Sequence, residues 1–167
     1  MKVVCAWCQK LLVDDTSGDA RISHGICEAC LKEILGNTAV SLADFLSELQ
    51  FPVLVTDGEG VVIDANHAAG RILRKPVHGM AQARFGLAIE CYYASLPDGC
   101  GKTPQCRGCA LRKNLSDTYA DGQPRYGVYA QQQVMAGETT RMVQFRFSTQ
   151  KIGEMVMFAI EEIKDLS

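Results

Sequence analysis

Residues 51–73 read FPVLVTDGEGVVIDANHAAGRIL, and the hydrophobic period changes twice within them. Val53-Leu54-Val55 is an apolar run of strand length, Asp57-Gly58-Glu59-Gly60 holds the residues that turn a chain back, and Val61-Val62-Ile63 resumes the run. Two such runs across an acidic glycine turn predict a β-hairpin. Asn66 then stands where its side chain can accept the first free N–H groups of a helix. Ala68, Ala69, Ile72 and Leu73 recur behind it at helical spacing.

Upstream, Ser41 and Asp44 form a capping box before Leu42, Phe45, Leu46 and Leu49, a single apolar stripe that Pro52 closes. Earlier still, CEACLKEIL predicts a helix from near Cys27, with Gly36 just past its end and Asn37-Thr38 breaking the pattern. Downstream, residues 76–90 predict short helical turns, residues 95–109 a loop rich in Gly, Pro and Cys, and Ala110–Leu115 one or two helical turns. Three strands follow, Tyr126–Met135, Thr139–Ser148 and Met155–Ile160. In the middle one Val143, Phe145 and Phe147 share a face, with Gln144, Arg146 and Ser148 on the other. The order strand, strand, helices, strand, strand, strand is that of an α+β fold.

The chain has 167 residues, enough for one domain and a small appendage. With 47% hydrophobic and 22% charged residues it reads as globular, and a net charge of −2 gives no basic field for nucleic acid or anionic lipid. No apolar run is long enough to span a bilayer, and MKVVCAWC has no apolar signal core, so the expectation is a cytoplasmic protein.

Cysteine is the outlier, with 8 residues in two groups of four. Thiols kept reduced in the cytosol read as metal ligands or redox groups before disulfides. The first group, Cys5, Cys8, Cys27 and Cys30, has the pattern C-x2-C-x18-C-x2-C, the spacing of a closed, structural four-cysteine zinc site. The segment 1–36 is too short to hold a core of its own, so a metal would be its staple. Its acids outnumber its bases, which gives no phosphate footprint. Trp7 would cover the metal; His24 is read as a surface loop residue and left out of the ligand set.

The second group, Cys91, Cys100, Cys106 and Cys109, has the unfamiliar pattern C-x8-C-x5-C-x2-C. Lys102, Arg107, Arg112 and Lys113 flank it, and cations favour thiolate. Zinc comes first as its occupant, an iron–sulfur cluster second and a thiol–disulfide switch third. GCGKT is not a P-loop: the glycine needed at position 96 is Leu, and Pro104 stands where the helix should start.

FPVLVTDGEGVVIDANHAAGRIL resembles the opening of a PAS domain, and MVMFAIEEIKD is similar to its last strand and acidic exit. ECYYASLPDGCGKTPQCRGCALR resembles a cysteine-bearing insertion of some bacterial PAS sensor proteins. The resemblance implies a five-stranded antiparallel sheet flanked by helices, used as a sensor or interaction module. On this division residues 1–36 are a zinc-ribbon-like module, 37–50 a linker helix, and 51–165 a PAS domain with its cysteine-rich insertion at 91–112. The two cores are expected to be separate. No CxxCH is present, so haem c is not expected.

The function expected is signal transduction through a protein partner such as a sensor kinase or regulator, in transcriptional or two-component regulation, with redox or metal sensing at the second group. A structural zinc adaptor is the alternative, and a thiol oxidoreductase the third reading. An enzyme is not expected: His24, His67 and His78 place no HExxH and no nucleophile–base pair. The stripe at 41–50 either packs on its own sheet or forms a homodimer.

Overall fold

A computed structural model describes residues 1–37 and 39–167; the Thr38 half of the expected Asn37-Thr38 break lies outside them. The first segment holds three short strands, β1 (Lys2–Cys5), β2 (Leu11–Asp14) and β3 (Ile22–Gly25). They form a sheet in the order β2-β1-β3, with β1 antiparallel to β2 and parallel to β3. Each strand has four residues, and only alternate positions of β1 and β3 are buried, so no apolar run announced them. Helix α1 (Glu28–Gly36) follows, with Cys27 as its N-cap and Gly36 as its last helical residue rather than the first beyond it. Helix α2 (Leu42–Glu48) starts on the Ser41–Asp44 capping box, formed in both directions.

The hairpin is β4 (Val53–Thr56) and β5 (Val62–Ala65). Asn66 staples it to its surroundings. Its Oδ1 accepts from Ala69 N at 2.9 Å, capping α3 (His67–Leu73), and from Val53 N at 3.0 Å. Its Nδ2 donates to the carbonyls of Leu49 and Phe51. Short turns and α4 (Phe85–Ala88) occupy residues 77–95. Helix α5 (Ala110–Asp121) runs beyond the one or two turns expected, because Leu111, Leu115 and Thr118 continue one buried stripe to the left-handed Gly122. Strands β6 (Arg125–Ala136), β7 (Thr139–Ile152) and β8 (Met155–Asp165) complete a sheet in the order β5-β4-β8-β7-β6, antiparallel throughout. This is the α+β fold, with its PAS-like five-stranded antiparallel sheet flanked by helices, that the resemblance implies.

Strand alternation gives the sheet two apolar faces. Leu54, Phe145, Phe147, Val156, Phe158 and Ile160 point to an inner face covered by α4, α5 and the segments between them. Val53, Val55, Met157 and Ala159 point to an outer face, where they meet Cys5, Ile26, Cys30, Phe45, Leu46 and Leu49. The expected separation of cores therefore fails: the first 36 residues and α2 roof the outer face of the sheet, and the two segments share one apolar cluster. Each Leu or Phe buried there contributes about 1.5–3 kcal/mol. The stripe of α2 packs on its own sheet, with Phe45, Leu46 and Leu49 at most 4% exposed and Leu42 half-buried at its start.

Polar contacts fasten this roof. The Gln150 side chain accepts from Ile26 N and donates to Ile26 O, both at 2.7 Å. Arg146 on β7 and Glu161 on β8 form a buried ion pair, Nη1 to Oε2 at 2.5 Å. Ser148 donates to the same carboxylate, and Arg146 Nη2 donates to Ser23 Oγ of β3 at 3.1 Å. Arg146 and Ser148 of the polar face of the Thr139–Ser148 alternation are thus buried beneath the first segment, while Gln144 is half-buried. Gly25 lies so close to β6 that a Cβ there would meet Tyr126 Oη at 2.7 Å. Among the described residues no helix is long and apolar enough to cross a membrane.

Candidate metal centre and cysteine-lined cavity

The first cysteine group is assembled by the small sheet. Parallel pairing of β1 and β3 sets Cys5 opposite Gly25, two residues before Cys27. After Cys5 the chain makes a tight turn through Cys8, closed by Gln9 N donating to Cys5 O at 2.9 Å, with Gln9 in the left-handed region at φ 62°. Cys27, as N-cap of α1, accepts from Cys30 N at 3.5 Å, and Cys5 Sγ accepts from Cys27 N at 3.3 Å. The four Sγ atoms all lie within 4.8 Å of one another.

The donor set fits a single tetrahedral ion. Cys8 Sγ and Cys27 Sγ are 3.8 Å apart. A disulfide needs about 2.05 Å. A tetrahedron of sulfurs around zinc, at about 2.3 Å from the metal, has edges of about 3.8 Å. Electrostatics agree. Burial raises the Cys5 thiol, but the N–H groups of Cys8, Cys27 and Trp7 outweigh it and lower its pKa to about 6. Cys30 is pushed up, first by burial and then by the three sulfurs around it. Four crowded sulfurs, with Cys5 favoured as thiolate and Cys30 disfavoured, form a site that a divalent cation relieves. Cys5, Cys8, Cys27 and Cys30 would hold the ion, and it would supply structural cross-linking, since all four positions come from the protein.

The second group lies on the opposite face of the sheet. Cys91, Cys100, Cys106 and Cys109 all line one cavity of about 600 Å³ between β6, α4, the loop and α5. Cys91 is anchored by a bridge to Val134 of β6. Its Sγ accepts from Gln132 Nε2 at 3.0 Å, while Cys109 Sγ lies 3.9 Å from Gln132 Oε1. Cys100 rests on α4, where a Cβ on Gly86 would come within 2.7 Å of its Sγ. Cys106 Sγ accepts from Gly101 N at 3.1 Å and is 3.1 Å from Thr103 Oγ1. Among the described residues the first group is the one set of three or more His, Cys, Asp or Glu ligand atoms within 4.8 Å. The second four share a cavity without that convergence.

Their electrostatics differ by position. Burial pushes the Cys91 and Cys100 thiols up, against the pull of the Ala94 and Tyr93 amides on Cys91 and of the Gly86 amide on Cys100. For Cys106 burial also raises, but the Thr103 hydroxyl, the Gly101 and Thr103 amides and the Arg112 guanidinium together lower it below the usual thiol range. Arg112 is held over this turn, its Nη1 donating to Gly101 O at 3.1 Å. Gln132, Thr103 and Gly86 were missed in the sequence. Gln132 sits in a polar Gln131-Gln132-Gln133 run, and only the strand register turns it inward.

His24 lies in β3 rather than on a loop surface, and its ring stacks on Phe51 at 4.4 Å between centroids. Trp7 is about a third exposed and touches Phe45, with ring centroids 5.5 Å apart, at the edge of the first site. His67 and His78 are exposed.

No protein-family model matches the chain, and no curated protein matches it. Solved structures do. The chain is similar to the photoactive yellow protein domain of the sensor histidine kinase Ppr from Rhodospirillum centenum, at 15% identity, over 79% of this chain and 99% of that one, with a TM-score of 0.46. It is similar to a PAS domain from Desulfitobacterium hafniense at 20% identity, over 74% and 99% of the two chains, with a TM-score of 0.43. For the PAS domain of nitrogen regulation protein NR(II) from Vibrio parahaemolyticus the values are 15%, 74%, 99% and 0.45.

Proposed function

We propose that this chain is a cytoplasmic PAS-type sensory module whose first cysteine group carries structural zinc and whose second group is the sensing element. The observation that carries this is the cavity into which Cys91, Cys100, Cys106 and Cys109 all open. A purely structural site has no use for open space beside its ligands, whereas a sensing site needs a way in for its signal. The second group would act as a metal site, zinc or iron–sulfur, or as a dithiol pair at Cys106 and Cys109. A change in its charge or bonding would reach β6 through Gln132, whose amide meets both Cys91 and Cys109. β6 pairs with β7, and β7 carries the Gln150 and Arg146 contacts to the roof. The output would pass from that outer surface to a protein partner such as a sensor kinase or regulator, with no catalytic step in this chain.

The test is hydrogen exchange of the full chain, reduced under nitrogen and after exposure to air. The expected result is altered protection in residues 96–109 together with Arg125–Ile152. Identical exchange in the two states would leave the structural adaptor as the correct account.

A further inference from the structure

The geometry points to a polynuclear iron–sulfur cluster, and not a single zinc ion, as the occupant of the second cysteine group. The inference rests on the sensing role proposed for the same cavity and names its ligand.

Spacing separates the two possibilities. One tetrahedral ion draws its four sulfurs to edges of about 3.8 Å, and the first group shows that this fold reaches such spacing where it is needed, with Cys8 and Cys27 at 3.8 Å. In the second group no three sulfurs come within 4.8 Å of one another, although all four border one cavity. A cluster places irons and sulfides between its thiolates, so it requires sulfurs set apart around a space rather than gathered at a point.

The surroundings suit such a core. Hydrogen bonds to sulfur and control of solvent access are the protein's means of holding and tuning a cluster. Here Cys106 Sγ receives Gly101 N, Cys91 Sγ receives the Gln132 amide, and Cys100 lies against Gly86, where any side chain would collide. Arg84 and Arg112 line the cavity against Glu59 alone among the carboxylates, a balance that offsets the negative charge of a four-thiolate cluster. Cys91 is tied to β6 while the other three belong to the loop and the start of α5, so a cluster would also clamp the loop to the sheet.

The experiment uses the full chain purified without oxygen and incubated with ferrous iron and sulfide, followed by metal and acid-labile sulfide analysis and a visible spectrum. Zinc should remain at the first group, while iron and sulfide enter together with a visible band that dithionite bleaches. Cys106→Ser should lose at least half of the iron and sulfide and keep the zinc. Cys91→Ser should do the same, and a circular dichroism spectrum like the parent's shows that these variants are folded. Uptake of a second zinc with no iron or sulfide would overturn the inference, as would iron that persists when Cys91, Cys100, Cys106 and Cys109 are all Ser. Either result leaves the sensing proposal to the exchange comparison, which can still succeed with zinc or a dithiol at the site.

Discussion

The two faces of one sheet hold the two cysteine groups, and they are built differently. On the outer face two tight turns bring four sulfurs within 4.8 Å, with Cys5 and Cys30 buried as core residues. On the inner face one cysteine is fixed to a strand, three ride on a loop and the start of a helix, and all four open on a cavity. The difference teaches that ligand count alone does not define a site. Short register-locked spacing makes a closed staple, and long loop spacing makes a chamber that stays accessible.

The sharpest break of this contrast is to remove one ligand from each side. Cys30→Ser takes a sulfur from a site that is also part of the shared outer cluster. It should cost more than about 4 kcal/mol, the size associated with losing a structural metal or core group. Because the roof and the sheet share that cluster, exchange protection should fall at Val53–Thr56 and Met155–Ile160 as well as in the first 36 residues. Cys106→Ser, half-exposed on the loop, should cost under about 1 kcal/mol and speed proteolysis between Leu96 and Arg112 first. Equal losses of thermal stability in the two variants would erase the distinction between staple and chamber.

Next in size is the ion pair under the roof. Glu161→Gln leaves Arg146 buried without its counter-charge, a change that typically costs about 3–5 kcal/mol. It should loosen the contact of β3 with β7, since Arg146 also holds Ser23. Because coupling between two sites is reciprocal, the inner chamber should respond in turn: the rate at which a thiol reagent modifies Cys106 should change by about twofold or more. An unchanged rate would mean that the two faces are insulated from each other and that no signal passes through Arg146.

Much of this was legible in the residues. The hairpin with its Asn66 cap, the capping box at Ser41 and the three C-terminal strands follow from period and punctuation, which act locally. So does the first cysteine group, whose two CxxC turns can meet at one ion in almost any arrangement of the segment between them. The strands β1, β2 and β3 were not legible, because four-residue strands with alternate burial give no run to detect. Nor was the roof. Arg146, Ser148 and Gln150 look like a solvent face in sequence, and only the tertiary contact with Ser23 and Ile26 shows that they are buried or clamped. The wider spacing of the second group around its cavity could not be read either, since it depends on where a long loop lies over the sheet.

A smaller perturbation addresses the chamber alone. Gly86→Ala would set a Cβ at 2.7 Å from Cys100 Sγ and 3.0 Å from the Ala94 Cβ. The Ala94 Cβ is fixed by its backbone while the Cys100 Sγ can turn about its side-chain bond, so Cys100 must move, at about 1–3 kcal/mol for overpacking. Metal bound at the first group should be unchanged, and occupancy of the second group should fall. Full occupancy in Gly86→Ala at unaltered stability would show that Cys100 is not one of its ligands.

The smallest effect is an acid sensitivity confined to the roof. The His24 ring stacks on Phe51 beside the outer cluster; burial lowers its pKa, and the charge of Glu161 only partly reverses this. The unfolded ring, with its pKa near about 6.5, therefore binds a proton that the folded ring resists. The unfolded state holds more protons in this window. The stability contributed by neutral His24 is complete above the unfolded value and is lost as pH falls through the lower folded value. His24→Phe keeps the stack and removes the titration. Between pH 7.5 and 5.5 the variant should lose less stability than the parent, by under about 1 kcal/mol once solvent screening of a half-buried ring is allowed for. Thiolate protonation at the first group also destabilises the roof in acid, but it acts on both proteins alike, so the difference between their unfolding midpoints isolates the ring. Zinc content measured at each pH checks that equality. Parallel acid curves at equal zinc content would show that His24 titrates as it does in the unfolded chain and that the roof owes its acid response to the sulfurs alone.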